Sequence, residues 1–149
     1  MADHEHYMRI ALEEAERGAA EGNVAVGSIL VGAERVVARG RNLVTSTSDP
    51  TAHAEIVALR HAGEQLGHTD FSNLTLYPTF EPCPMCCGAI LASGVHTLVM
   101  GARHDLTKSN WGMYTVETLL ELTNRASQLT IITGILTRAC ANVRKLETG

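Results

Sequence analysis

Near the start of the chain, Met8, Ala11, Leu12, Ala15 and Ala19 recur at three- and four-residue intervals, while Glu13, Glu14, Glu16 and Arg17 take the other side. That spacing predicts an amphipathic helix over about residues 3–21, closed by Gly22 and Asn23. Residues 24–31 and 36–41 then read as two strands of an antiparallel hairpin turning around Gly32, Ala33 and Glu34. On the second strand Arg35, Arg39 and Arg41 share one parity and Val36, Ala38 and Gly40 the other. This predicts an edge strand with one solvated face, whose arginines protect the edge rather than bind phosphate.

The clearest loop is 45–51, and Asp49-Pro50 or Thr51 can open a helix running to about Leu66. A β-rich run at 74–80 leads into proline punctuation around Cys83. Residues 86–93 are then helical, 95–101 a strand, 130–133 the last strand and 136–146 a final helix. Helices alternating with strands after a hairpin predict an α/β layered domain with a mixed sheet of about five strands.

Over 149 residues, 45% hydrophobic and 19% charged content suits one globular domain spanning 1–149. Every apolar stretch is interrupted short of the roughly 18 residues that a membrane span needs. The start, Met1-Ala2-Asp3-His4, lacks the basic region of a secretory signal, so a cytoplasmic chain with four unpaired cysteines is expected. A net charge of −4, with Lys108 and Lys145 the only lysines, argues against affinity built mainly on neutralising phosphates.

The chemistry gathers in two segments, each expected where a loop enters a helix. Cys83 and Cys86 are spaced so that both sulfurs can bind one ion from a first helical turn. His53 supplies a third ligand, because its helix follows the hairpin and precedes a strand and so returns to the same sheet end. Three protein ligands leave a fourth position open, which separates a catalytic zinc from a closed structural site. Two thiolates offset much of the metal's charge, so a nearby general base becomes valuable, and Glu55 fits that task. Residues i and i+2 of a helix face about 200° apart, so His53 and Glu55 converge only on an ion beyond the helix end. On an ideal helix Cys87 lies about 40° from Cys83 and Cys86 about 60° away on the other side, so geometry leaves the second sulfur open. A thioredoxin-like redox pair would give Pro82 and the upstream His-x-Glu no role.

The stretches Asp49-Pro50-Thr51-Ala52-His53-Ala54-Glu55-Ile56 and Glu81-Pro82-Cys83-Pro84-Met85-Cys86-Cys87-Gly88-Ala89-Ile90 resemble the cytidine deaminase superfamily. The nearest branch holds guanine, cytosine and tRNA adenosine deaminases. His-x-Glu paired with Pro-Cys-x-x-Cys is the signature of zinc nucleobase deaminases, in which the glutamate is not a ligand. The resemblance implies a three-layer α/β/α sandwich, Zn2+ on His53, Cys83 and Cys86, and a homodimer or larger assembly. It chooses Cys86 over Cys87, which then reads as a small core residue. It also implies attack of water on an amino-bearing carbon with release of ammonia. Glu55 takes the water proton, delivers it to a ring nitrogen and later protonates the departing amine. Asn42, the Ala54 N–H and the Glu81 carbonyl match substrate contacts of that family.

His104 follows the strand expected to end near Gly101 and so can border the same pocket. Trp111 and Tyr114 read as packing residues, and Cys140 as a buried one. A free base such as guanine or cytosine, or a related small amino-heterocycle, ranks above tRNA on the charge argument. The basic positions that would favour RNA are Arg138, Arg144 and Lys145. The short tail lacks the aromatic, acidic extension that closes the pocket of free-base deaminases. A zinc-stabilised binding module without turnover is the non-enzymatic alternative, and an intact Glu55 speaks against it.

Overall fold

The computed structural model covers residues 3–146; the first two residues of the N-terminal reading and tail residues 147–149 lie outside the described residues. Helix α1 (His4–Ala20) is capped by Asp3, whose carboxylate accepts the His6 N–H at 3.0 Å. Tyr7, Met8, Ala11, Ala15 and Gly18 form its buried stripe. The helix lies directly on strand β1 (Gly27–Gly32): a Cβ at Gly27 would stand 2.0 Å from the Ala11 carbonyl oxygen. Only glycine permits that approach. Strand β2 (Arg35–Arg41) pairs antiparallel with β1 through a tight turn in which Ala33 and Glu34 are both left-handed, at φ 50° and 60°.

The chain continues through α2 (Val44–Thr47), α3 (Ala54–Leu66), β3 (Thr75–Pro78), α4 (Pro84–Ser93), β4 (Thr97–Val99), α5 (Val116–Leu122), β5 (Thr130–Ile132) and α6 (Thr137–Arg144). The strands form one mixed sheet in the order β2-β1-β3-β4-β5, antiparallel up to β3 and parallel beyond it. Alternation along the strands sends neighbours into different cores. Ile29, Val31, Tyr77 and Val99 join Met8 of α1 and Cys140 of α6 on one face. Leu30, Leu76 and Leu98 join Ala58 of α3, Ile90 of α4 and Leu120 of α5 on the other. The result is the expected α/β/α sandwich. Among the described residues no helix is long and apolar enough to cross a membrane.

Several expectations are corrected. Strand β2 is an edge with Arg35 and Arg39 exposed and Arg41 partly so, as expected, but its three arginines do not share a face. A bulge pairs Ala38 with Leu30 but Val36 with Val31, so Val37 is skipped and Arg35 changes side. Arg39 and Arg41 are on the α1 side, where Arg41 binds Glu21 at 2.6 Å and Glu14 at 3.3 Å, and Arg39 reaches Glu13 at 3.6 Å. The loop at 45–51 contains α2, whose amides at Thr45 and Ser46 are held by the Asn23 side chain. Helix α3 starts at Ala54 rather than at 49–51, because Asp49 spends its carboxylate on the Thr51 N–H and hydroxyl, making a turn instead of a helix cap. Helix α4 starts at Pro84 rather than at residue 86. Helix α5 was not expected: it is seven residues long, and its capping box uses Thr118 where glutamate or glutamine is usual.

Candidate active site

Both motifs stand at helix entrances. His53 and Cys83 are the N-cap residues of α3 and α4, extended at φ −65°, ψ 156° and φ −69°, ψ 171°. Pro84 suits the first position of α4, where no backbone N–H is needed, and Cys86 follows within the first turn. The Nδ1 atom of His53 lies 3.6 Å from the Sγ atoms of both Cys83 and Cys86. The three candidate ligand atoms lie within 4.8 Å of one another. One imidazole nitrogen and two sulfurs at this spacing are a donor set that zinc takes with one position to spare.

Cys87 is outside this trio and belongs to the core around Ile90, Leu98 and Met100. The ideal-helix comparison of Cys86 with Cys87 loses its basis because Cys83 is a cap, with non-helical backbone, rather than a helical residue.

The sulfurs and the imidazole share protons. A hydrogen bond from the Cys86 thiol is the chief cause that lowers Cys83 to about 4. The same bond, together with burial, pushes Cys86 up, and the bond to Cys83 raises His53. A divalent cation would replace those protons, as metal binding to such ligands releases them. Glu55 is only 4% exposed, and burial pushes its carboxyl up to about 7.

The trio opens on a cavity of about 240 Å³ walled by Asn42, Ala54, Glu55, Phe80 and His104. Asn42 is buried; its side-chain oxygen accepts the Val44 N–H at 3.0 Å, which leaves its amide NH2 available to the cavity. Ala54 is the first residue of α3, so its N–H has no acceptor within the helix. His104 lies edge-on to Phe80 and Tyr114, with ring centroids 5.0 and 5.8 Å away. Its Nε2 is buried without a hydrogen-bond partner among the described residues.

Three further residues complete the surroundings of the cavity. Trp111, read as packing, is 47% exposed on the cavity rim, whereas Tyr114 does pack, donating its hydroxyl to the Pro82 carbonyl at 2.5 Å. Arg144 also reaches the rim, with its guanidinium 5.4 Å from the Phe80 ring centre. The Glu81 side chain, noticed only for its backbone carbonyl, is buried against Arg103. Its partners lie more than 20 positions downstream, a pairing that no local pattern signals.

A family model for the cytidine and deoxycytidylate deaminase zinc-binding region matches residues 1–102. The tRNA-specific adenosine deaminase of Buchnera aphidicola subsp. Schizaphis graminum is 46% identical over 105 residues, 70% of this chain and 70% of that protein. A structure from studies of A-to-I editing by tRNA:A34 deaminases superposes with a TM-score of 0.80 at 32% identity, covering 93% of this chain and 98% of that one. The guanine deaminase of Nitrosomonas europaea superposes with a TM-score of 0.82 at 29% identity, covering 98% and 85%.

Proposed function

Because this chain belongs to the cytidine and deoxycytidylate deaminase family, we propose that His53, Cys83 and Cys86 hold its zinc, that Glu55 carries its protons, and that it deaminates an adenosine within RNA. It is a zinc-dependent hydrolytic deaminase. Zinc, when bound, supplies the Lewis acidity that makes water a nucleophile near neutral pH. The Glu55 carboxylate accepts a proton from the attacking water and passes it to the ring nitrogen beside the amino-bearing carbon. A carbon–oxygen bond forms, the carbon–nitrogen bond breaks, and a second proton carried by Glu55 leaves with ammonia. The Asn42 amide and the Ala54 N–H orient the ring, and His104 Nε2 offers a further polar contact.

The observation that carries the substrate reading is the shape of the rim. The cavity shares Phe80, His104, Asn110, Trp111 and Arg144 with an adjoining crevice that adds Asp105, Lys108 and Ser109. A free base needs only the inner cavity; a base within a strand also needs room, cationic groups and an aromatic face for its neighbours. The net charge that ranked free bases first is a whole-chain sum, and Arg9, Arg17, Arg39, Arg41, Arg60 and Arg103 are all in ion pairs with acidic residues. Arg144 and Lys108 are on the crevice instead.

The second reading, a free-base substrate such as guanine, is favoured by the match to the Nitrosomonas europaea guanine deaminase along 98% of the chain. Ammonia release measured in parallel on an adenosine-bearing anticodon stem-loop, adenosine, guanine and cytosine separates the two. Turnover confined to guanine or cytosine would overturn the RNA reading. A homodimer or larger assembly is part of the same proposal. Met113 and Leu122, 74% and 87% exposed, are apolar positions available to a second copy.

A further inference from the structure

The segment from Arg103 to Thr115 forms the outer wall of the cavity but contains only turns and irregular backbone, and most of residues 105–113 are exposed. Such a stretch has little apolar burial of its own to fix it. Both its ends converge on one carboxylate. Glu81 Oε1 accepts the His104 N–H at 3.0 Å and the Arg103 Nε–H at 3.2 Å. Glu81 Oε2 accepts the Val116 N–H at 3.0 Å and an Arg103 terminal N–H at 2.9 Å. Arg103 is shared with Glu117, so the far end of the segment is bound a second time.

Glu81 itself stands on the lead-in to α4, two residues before Cys83, and its N–H binds the Ala102 carbonyl at 2.8 Å. We propose that Glu81 is a positioning residue: its carboxylate clasps both ends of the 103–116 segment to the entrance of the Cys83 helix. It thereby sets where His104, Asn110 and Trp111 stand over the substrate. The inference rests on the reading that this cavity takes the substrate base. Both carboxylate oxygens are taken up by these four donors, so its effect falls on binding rather than on proton transfer.

A buried carboxylate held by an arginine and two amides also describes a purely stabilising ion pair, so the test needs a local reporter. The chain provides one, since Trp111 is its single tryptophan and lies in the clasped segment. In the zinc-loaded Glu81→Gln variant, the carboxamide has one acceptor oxygen for four donors. Trp111 should lose anisotropy and become about twofold more open to acrylamide quenching. For the adenosine-bearing stem-loop, KM should rise about tenfold while kcat stays within about threefold, and zinc should stay at one per chain. Arg103→Gln, which leaves both backbone bonds to Glu81 intact, should give the same changes at smaller amplitude; it serves as the test if Glu81→Gln does not fold. Trp111 quenching unchanged in either folded variant, or kcat falling with KM constant, overturns the clasp. If the wild-type chain leaves the stem-loop untouched, the RNA reading fails while Trp111 fluorescence still decides the clasp, and the KM comparison moves to whichever base releases ammonia.

Discussion

Gly40 of β2 faces the Ala54 carbonyl of α3 so closely that a Cβ at residue 40 would stand 2.4 Å from that oxygen and 2.5 Å from the Ala58 nitrogen. The first turn of α3 therefore rests directly on the sheet, and that turn carries His53 and Glu55. A methyl group there has only backbone to displace, so Gly40→Ala should cost about 1–3 kcal/mol of stability. It should also weaken zinc retention, because the helix start must shift. Gly88, an exposed residue inside α4 with nothing within 4 Å of its Cβ position, is the control. Gly88→Ala should stabilise by about 0.5–1 kcal/mol through helix propensity. Urea denaturation of the two variants should give shifts of opposite sign; equal shifts would refute the close approach.

The donor set makes a separate prediction about metal. Cys86→Ala, Cys83→Ala and His53→Ala should each lose stoichiometric zinc, whereas Cys87→Ala should keep it and lose only about 1–2 kcal/mol of core packing. Adding a chelator should lower the thermal midpoint of the wild type and of Cys87→Ala, since a ligand bound only to the folded state stabilises it. It should leave the three ligand variants unchanged. Metal analysis combined with thermal unfolding checks both halves. Zinc lost from Cys87→Ala but kept by Cys86→Ala would reverse the assignment.

The parts of this molecule that were legible in the sequence are those whose signal is local. His53, Glu55, Cys83 and Cys86 lie in two short motifs, and the hairpin, α1 and α3 carry strong periodicity, so the family and its mixed sheet followed. What escaped depends on distant partners or on short elements. Arg41 looks like an edge residue until α1 brings Glu14 and Glu21 over it. Asp49 offers the same chemistry to a helix cap and to a turn, and only the path of residues 50–53 decides between them. Helix α5 is too short for its period to stand out, and the Glu81 contacts arise only when β3 and β4 bring Phe80 beside Ala102.

The turn at Asp49 gives a prediction about pH. Bonds from the Thr51 hydroxyl and N–H, then from Arg60, hold the Asp49 carboxyl below its ordinary value of 3.8. A depressed folded-state value means the unfolded chain takes up the proton first, so the contribution is full above about 3.8 and fades as pH falls through the lower folded value. Asp49→Asn keeps an acceptor for Thr51 but loses the charge that Arg60 pairs with at 3.1 Å. The wild type should therefore be the more stable near neutrality, and the two unfolding curves should converge in acid. A difference that grows toward low pH would contradict this, and NMR titration of the Asp49 carboxyl reads the displaced value directly.

Glu55 allows function and stability to be separated in one substitution. It is buried beside His53, Cys83 and Cys86, where an ionised carboxylate is costly to hold, and Gln has the same shape without the charge. Glu55→Gln should therefore fold at least as well as the wild type and keep one zinc per chain, because the carboxylate is not among the converging ligand atoms. It cannot accept the water proton, so ammonia release in single turnover should fall by about 10²–10⁴-fold. Loss of zinc in this variant would move Glu55 into the ligand set. Undiminished turnover would remove it from proton transfer and leave the burial of a carboxylate beside His53 without a purpose. A stable, zinc-loaded, inactive protein would show that the residue is kept for chemistry at the expense of the fold.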